Sequence, residues 1–314
     1  MVSMIRPKLN EMIIGRWATV DGKRPLPPTV VNKLKESFRA EYVYNSNAIE
    51  GNSLTLRETQ LLIEEGITVR GKSLRELDEA RNHPGALDCI EDLASGNKSI
   101  TEFEVTTLHQ ILMKGTIEDR FVGRYRTGQI GIRGSKHVPP PAYEVPRLMA
   151  EFVKMMNDNP RDLTTVELAA VALHRLVYIH PFEDGNGRMS RLLANLVLLR
   201  KRYPPVIILN ADRRRYLRYL AKADGGDYGP LANFFAQYVI KHLDMLLRAL
   251  EQKPEDELLT LAQAERISLL GAPYLRVLAN RGLIPAVKEG REWRISRRDL
   301  LEYVRTHKRG ETPT

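Results

Sequence analysis

The chain has 314 residues, of which 43% are hydrophobic and 28% charged, with a formal net charge of +9. This composition is typical of a globular protein of roughly two domains. No apolar run is long enough to span a membrane and the N-terminus lacks a signal-peptide pattern, which predicts a cytoplasmic protein. The single cysteine, Cys89, excludes a disulfide framework and a cysteine-based zinc site. The positive charge favours acidic partners such as nucleotides or nucleic acid.

Capping boxes mark the predicted helix starts, because a Ser or Thr followed three residues later by Glu satisfies the first free N–H groups of a helix. Such pairs occur at Thr55/Glu58, Ser73/Glu76, Ser99/Glu102 and Thr164/Glu167. The last predicted helix carries an apolar stripe from Val166 to Val177. The run RLLANLVLL that follows has few polar positions and predicts a buried central helix. The pattern indicates a mainly α body.

One segment interrupts the helical pattern. The stretch GRYRTGQIGIRGSKHVPPPAYEV has glycines, alternating Ile130 and Ile132, and then Pro139 to Pro141. This pattern predicts a short β-hairpin that ends in a rigid extended stretch. Such a hairpin is either a connection or a docking edge for another chain, and spacing alone favours the connection.

A domain boundary is predicted at residues 251–257, EQKPEDE, which are charged and contain a proline, as linkers do. Beyond it, Thr260/Gln263 and Ser296/Asp299 predict two further helix starts. Two short strands are predicted around Glu289 and Gly290.

The stretch HPFEDGNGRMSR, His180 to Arg191, carries the most chemistry. Gly185 and Gly187 let the backbone approach a ligand closely at the start of the buried helix. The first N–H groups of that helix have no internal partners and lie at its positive end, which suits a phosphate group. Arg188 and Arg191 are three residues apart, so both can reach an anion held there.

The acids and the histidine of the same stretch complete a candidate catalytic loop. Asp184 is placed to hold a Mg²⁺ that bridges phosphates, and His180 is a candidate general base for a hydroxyl nucleophile. Phe182 is predicted to be a buried anchor. Taken singly, a Gly-Asn-Gly turn and a helix-end histidine are common structural features. A metal site of His180, Glu183 and Asp184 lacks an evident third strong ligand. The combination favours a phosphate-handling catalytic loop.

This stretch resembles the complete signature of the Fic (Fic/Doc) family. The resemblance implies a Fic-type helical bundle that transfers AMP from ATP to a Ser, Thr or Tyr hydroxyl of a protein and releases pyrophosphate. It implies that His180 deprotonates the hydroxyl and that Asp184 binds Mg²⁺. It also implies that the phosphates are held by Gly185, Asn186, Gly187, Arg188 and Arg191, with Arg188 at the β and γ phosphates and Arg191 at the γ phosphate.

Two more segments extend the resemblance to roughly residues 40–250. GRYRTGQIGIRGSKHVPP resembles the family's β-hairpin flap, which implies that a protein substrate binds along residues 128–138 and that Arg133 and Gly134 lie over the nucleotide. The resemblance thus favours the docking edge over the connection. RRRYLRYLAKADGGD resembles the adenosine-side segment, which implies a contact between Tyr216 and the base. Asp224 departs from the pattern because relatives carry Asn there.

SNAIEGN, Ser46 to Asn52, resembles the family's inhibitory motif, in the class whose inhibitory helix precedes the core. Glu50 is a carboxylate that can pair with an arginine, and the resemblance implies that its partner is Arg191. With Arg191 occupied, the γ phosphate loses its clamp and the α phosphate is misaligned for attack. Some relatives use the same glutamate to remove AMP, so de-adenylylation stays open.

The C-terminal segment resembles a small winged helix-turn-helix of the excisionase/MerR-like type. Its basic wing residues are Lys288, Arg291, Arg294, Arg297 and Arg298. They suit DNA phosphates, and docking of a protein is the alternative. The predicted organisation is therefore an N-terminal helical region 1–95 with the inhibitory motif 46–52, a Fic core 96–250, a linker 251–257 and a winged helix-turn-helix 258–310.

Two rival functions remain beside the auto-inhibited adenylyltransferase. One is a DNA-binding regulator that uses the Fic body as a nucleotide sensor, against which the intact His180 argues, since sensing needs no base. The other is a Fic enzyme with a different donor, which transfers phosphate, phosphocholine or UMP. The target protein, the signal that releases Glu50, and a monomeric or homodimeric state are left open by the sequence.

Overall fold

The computed structural model describes residues 3–96, 99–132, 134–251, 258–289 and 292–307. Two compact units divide the chain, an N-terminal unit, Met1–Leu247, and a C-terminal unit, Arg248–Thr314. The regions predicted as 1–95 and 96–250 both contribute to the N-terminal unit. Of the predicted linker, residues 252–257 lie outside the described residues, as do residues 308–310 of the predicted C-terminal domain.

Helices form most of the N-terminal unit, so the predicted mainly α fold is confirmed. In chain order they are α1 (Pro7–Asp21), α2 (Pro28–Ile49), α3 (Leu56–Glu64), α4 (Leu74–Ser95), α5 (Glu102–Met113), α6 (Val145–Asp158), α7 (Thr165–Ile179), α8 (Asn186–Arg200), α9 (Arg213–Asp224) and α10 (Gly229–Glu251). Within the ranges described, each helix falls short of the length or the apolar character that a bilayer span requires.

The predicted caps are present at α3, α4 and α7, where Thr55, Ser73 and Thr164 each form a complete capping box. The start of α5 differs from the prediction, because its box is Thr101/Glu104 rather than Ser99/Glu102. Two overlapping boxes exist in this sequence. The buried Ile100 decides between them, since Asn157 binds both its N–H, at 3.0 Å, and its carbonyl, at 2.8 Å, and so holds it outside the helix.

The centre of the unit is α8, which is buried along nearly its whole length. It packs against α7 and α4, and α2 packs against α4 and α8. The predicted buried central helix is therefore confirmed. This packing brings the start of α8 and the ends of α2 and α7 together in the interior of the unit, where they can form a site.

The flap segment 128–138 reverses direction without forming paired strands among its described residues. The turn is closed by the Ser135 N–H, which donates to the Ile132 carbonyl at 3.0 Å, with Gly134 at φ +78°. Side-chain hydrogen bonds join the two arms in place of the backbone hydrogen bonds of a β-ladder, as in the 3.0 Å bond from Gln129 Nε2 to the Pro139 carbonyl. Prolines at 139–141 have no N–H to donate, which explains the missing ladder.

The C-terminal unit combines helices with a small antiparallel sheet of order β1-β3-β2. Its elements are β1 (Leu258–Thr260), α11 (Leu261–Ser268), α12 (Ala272–Asn280), β2 (Ala286–Glu289), β3 (Glu292–Ser296) and α13 (Arg297–His307). Leu259, Leu275, Ile295 and Leu300 form its core. The two predicted strands and both predicted helix starts are confirmed, and the three-residue β1 was too short to be recognised.

Candidate active site

The loop between α7 and α8 is held in shape by the side chain of Asn186. Its Oδ1 accepts from the Phe182 N–H at 3.0 Å and its Nδ2 donates to the Phe182 carbonyl at 2.8 Å. Phe182 is fully buried and stacks on His109 with ring centroids 3.8 Å apart, as expected of an anchor. The Asn186 side chain therefore holds the loop in shape, while its backbone N–H lies at the start of α8.

Two glycines of the loop leave room that a side chain would fill. Gly185 has φ +81°, and a Cβ there would lie 2.6 Å from Met113 Sδ. A Cβ on Gly187 would lie 2.1 Å from Glu50 Oε1. The Glu50 carboxylate therefore lies against the start of α8, which is the predicted anion site.

The guanidinium of Arg191, buried at 4% exposure, is held by the end of α2. Its Nη2 lies 2.8 Å from Glu50 Oε1 and donates to the Ser46 carbonyl at 2.7 Å, while its Nε donates to Ser46 Oγ at 3.0 Å. Burial lowers the pKa of Arg191, but neighbouring groups, above all Glu50, raise it by more and leave it above its ordinary value. Arg191 is therefore a buried, charged residue paired with Glu50.

Arg188 lies beside a buried carboxylate. It is 1% exposed, and its Nη1 lies 3.2 Å from Glu79 Oε1 on α4. Its Nη2 is 3.6 Å from Asp184 Oδ1, which also accepts from the Gly185 N–H at 2.6 Å. The other oxygen of Asp184 accepts from Arg75 Nη2 at 2.5 Å. Asp184 thus lies at the edge of a charged network of α4 and α8.

His180 ends α7 in the left-handed conformation, at φ +50°. Its Nδ1 is 3.1 Å from the Val177 carbonyl, which can only accept, so Nδ1 carries the proton and Nε2 keeps a lone pair. Burial lowers the pKa of His180, and Arg126 lowers it further, against the opposing effects of the Val177 carbonyl, Glu50 and Asp184. The imidazole is therefore neutral near pH 7, as a general base must be.

Arg126, at the base of the flap, binds four carbonyl groups of the surrounding backbone. Its Nε donates to the His180 carbonyl at 2.8 Å and Nη1 to Gly128 at 2.9 Å, while Nη2 donates to Pro140 at 2.5 Å and to Ile179 at 3.5 Å. The side chain is 3% exposed. These bonds attach both arms of the flap to the backbone of the candidate base, so Arg126 fixes the position of the flap relative to His180.

The chain is similar in sequence and in structure to known proteins. The Fic/DOC family model matches residues 99–198 and a helix-turn-helix domain model matches residues 258–308. The chain is 30% identical to a Fic domain containing signaling protein from Bacteroides thetaiotaomicron, with a TM-score of 0.71 over 76% of this chain and 98% of that chain. This chain belongs to the Fic/DOC family. A solved segment of C. elegans Fic-1 is similar at 29% identity, with a TM-score of 0.69 over 77% of this chain and 73% of that chain.

Curated relatives of this Fic/DOC protein are named protein adenylyltransferase Fic. The relative from Nematostella vectensis is 38% identical over 216 residues, which are 68% of this chain and 50% of the relative. The relative from Drosophila melanogaster is 35% identical over 247 residues, which are 76% of this chain and 50% of the relative. The chain spans about half the length of the curated relatives it matches.

The site of this Fic/DOC protein contains buried atoms that suit a polyphosphate. Among the described residues, Arg191 Nη1 and Arg188 Nε are buried without a hydrogen-bond partner. The first N–H groups of α8 add further donors beside them. For a metal ion, the donor set is one carboxylate, Asp184, and the described residues contain no cluster of three or more His, Cys, Asp or Glu ligands. One carboxylate plus phosphate oxygens is a usual donor set for Mg²⁺, so these residues fit Mg²⁺ with a nucleotide.

The remaining predicted residues lie less directly at the site. Tyr216 is 1% exposed and stacks against Phe234, with centroids 6.3 Å apart, so its contact with a base stays a prediction. Gly134 is exposed at the flap turn, and its contact with the nucleotide also stays a prediction. Arg133 lies outside the described residues.

Sequence reasoning missed three buried residues that hold the loop. His109 Nε2 donates to the Asp184 carbonyl at 3.0 Å while its Nδ1 accepts from the Gly123 N–H at 3.0 Å. Glu79 pairs with Arg188, and Arg126 joins the flap to the loop. Each lies far from the motif in sequence, and none stands in a pattern that distinguishes it from an ordinary surface residue.

The pH dependence of any reaction in which His180 is the base is expected to follow the protonation of its imidazole. A base works only while unprotonated, and the pKa of His180 lies below its ordinary value because of burial. The rate is therefore expected to stay level as the pH falls to about 6.5, the ordinary imidazole pKa, and to decline only below it. Single-turnover labelling across that range measures this, with thermal unfolding as a control for stability. A decline beginning above pH 7 would contradict a neutral, buried base.

Replacing Arg126 with alanine is expected to lower the free energy of unfolding by about 2–4 kcal/mol. The substitution leaves the carbonyls of His180, Gly128 and Pro140 without their charged donor in a largely buried setting. Urea unfolding measures the loss. Arg124→Ala, two residues away in the same segment, is the control and should change the value by less than about 0.5 kcal/mol. Equal effects of the two substitutions would show that the flap is not attached through Arg126.

Proposed function

We propose that this chain is an auto-inhibited protein adenylyltransferase, which transfers AMP from ATP to a Ser, Thr or Tyr hydroxyl of a protein. One observation carries the proposal. The Glu50 carboxylate pairs with Arg191 at 2.8 Å and lies against Gly187 at the start of α8, so an acid of α2 occupies the place that a phosphate would take. The names of the curated relatives support the same activity.

The transfer step follows from the position and protonation of His180. Nε2 accepts the proton of the target hydroxyl as the oxygen attacks the α phosphorus of ATP. The bond between the α phosphorus and the bridging oxygen to the β phosphate breaks, and pyrophosphate leaves with its electron pair. The product is a phosphodiester between AMP and the protein. The proton on Nδ1, donated to Val177, keeps Nε2 directed to the nucleophile.

Residues at the start of α8 stabilise the negative charge of the phosphates during the transfer step. Asp184 would hold Mg²⁺, which when bound neutralises phosphate charge. Backbone N–H groups at Gly187 and Arg188 donate to phosphate oxygens at the positive end of the helix. Arg191 clamps the γ phosphate, which fixes the α phosphate in line with the attacking oxygen.

Inhibition follows from competition for Arg191. The Glu50 carboxylate neutralises this buried guanidinium and would repel a γ phosphate beside it, so ATP meets a site whose clamp is already engaged by Glu50. Ser46 adds two further bonds to the same side chain. Release of the end of α2 is therefore the activating event in this proposal.

The protein substrate is proposed to bind along the flap. Among the described residues of 128–138, most are exposed and none is paired in a strand. Apart from groups bonded within the flap or to Arg126, such as the Gly128 and Ile132 carbonyls and the Ser135 N–H, their backbone donors and acceptors are available to an extended segment of another protein by strand addition. Arg126 keeps such a segment at a fixed distance from His180.

Position-specific labelling of ATP tests the transferred group. The Glu50→Gly protein is incubated with Mg²⁺ and with ATP labelled at either the α or the γ phosphate. AMP transfer is expected to label protein from the α position alone. Label from the γ position alone would show a kinase, and label from neither would contradict transferase activity from ATP.

DNA binding by the C-terminal unit is a second proposed function, supported by the helix-turn-helix match at residues 258–308. Arg276 on α12 and Lys288 on β2 are exposed, as phosphate contacts require. The predicted wing residue Arg291 lies outside the described residues. Fluorescence anisotropy with a DNA duplex at several salt concentrations tests this. Affinity that falls with salt and with Arg276→Ala supports the proposal, and no binding at low salt contradicts it.

A further inference from the structure

The carboxylate of Asp184 has both of its oxygens engaged. Oδ1 accepts from the Gly185 N–H at 2.6 Å and lies 3.6 Å from Arg188. Oδ2 accepts from Arg75 Nη2 at 2.5 Å. Oδ2, which makes no bond to the loop backbone, is therefore bound by the guanidinium of Arg75 and is not free for a metal ion.

Arg75 lies in the first turn of α4, where a positive charge is unfavourable because the helix N-terminus is itself the positive end. Two acids, Asp184 and Glu79, pair with Arg75 and offset the unfavourable effect of the helix dipole on its charge. Glu79 Oε1 is 3.3 Å from Arg75 Nε. The Arg75 side chain is 56% exposed, unlike the buried Arg188 and Arg191. Arg75 can therefore leave Asp184 and remain paired with Glu79.

We propose that Arg75 is a placeholder cation, which neutralises Asp184 in the nucleotide-free protein and must leave its carboxylate before Mg²⁺ binds there. The inference rests on the proposed function, since it takes Asp184 as the magnesium ligand. A guanidinium and a metal ion on the same carboxylate oxygen repel each other, which weakens the binding of both. Arg75 therefore competes with the metal.

This competition is separate from inhibition by Glu50. Within the described part of the chain, the ion-pair partners of Arg75 are Glu79 and Asp184, whereas Glu50 pairs with Arg191. The resting protein is thus restrained at two points, the γ phosphate clamp and the metal ligand. Glu79 contacts both regions, because it pairs with Arg75 and accepts from Asn52 Nδ2 at 2.9 Å, just after the inhibitory helix.

A metal titration tests Arg75 without relying on catalysis. The background is the full chain with Glu50→Gly and His180→Ala, which leaves the clamp open and prevents turnover. Mn²⁺ binding is followed by electron paramagnetic resonance, with and without ATP, for this background and for the same protein with Arg75→Gln. Loss of a half-exposed competing ion pair is expected to lower the Mn²⁺ concentration at half saturation by about two- to fivefold.

Arg81→Gln is the matched control, since Arg81 lies on the same helix and pairs with Asp78 away from the loop. It is expected to leave the titration unchanged. No shift with Arg75→Gln, or an equal shift with Arg81→Gln, would overturn the proposal. Weaker metal binding after Arg75→Gln would also overturn it and show that Arg75 binds phosphate instead. A preserved shift together with absent transferase labelling by the Glu50→Gly protein, in which His180 is intact, would contradict the proposed function alone.

Discussion

Replacing Glu50 with glycine is expected to raise the rate of AMP transfer by about 100-fold. The substitution removes the carboxylate that lies 2.8 Å from Arg191 Nη2, so the γ phosphate gains its clamp and the α phosphate its in-line position. Misplacement of reacting atoms by about 1 Å costs a factor of this order. The rate is measured with α-labelled ATP and Mg²⁺ under single-turnover conditions.

Glu64→Gly controls for a change of charge and backbone at a helix end. Glu64 is an exposed acid at the last position of α3, and its replacement is expected to leave the rate of the wild type unchanged. Equal rates for the wild type and Glu50→Gly would contradict inhibition through Arg191. Activation by both substitutions would point to general loosening of the helices instead.

In the activated protein, His180→Ala is expected to lower the rate of transfer by about 10²–10⁴-fold, the usual contribution of a general base. The substitution removes Nε2 but leaves the phosphate-binding start of α8 intact, so ATP binding should change little. Isothermal titration with ATP and labelling with α-labelled ATP separate the two effects. His307→Ala, at an exposed histidine of the C-terminal unit, is the control. A rate that survives His180→Ala would contradict its role as the base.

The motifs predicted which side chains the fold brings together at the site. Glu50 and Arg191 lie about 140 residues apart in the chain, and their contact could be expected only because two short motifs resemble one family. Asn186 shows the limit of such transfer. Its position in the loop was predicted, but the two hydrogen bonds of its side chain to the backbone of Phe182 were not.

Charged residues with partners on distant segments account for most of what the sequence did not reveal. Glu79, Arg75 and Arg126 read as solvated surface residues, because the acids and bases that surround them come from distant segments. The flap shows a different limit. Alternating residues predicted strands, whereas prolines at its end and hydrogen bonds from Arg126 and Gln129 shape it instead.

Intact-mass spectrometry tests the central claim that Glu50 and ATP compete for Arg191. The wild type, Glu50→Gly and Glu50→Gly/Arg191→Ala proteins are each incubated with ATP, Mg²⁺ and cell lysate, and protein masses are compared before and after. We expect AMP to be added in the presence of the Glu50→Gly protein, and this addition to be lost when Arg191 is also replaced. Equal addition by the single and double variants would contradict Arg191 as the contested clamp.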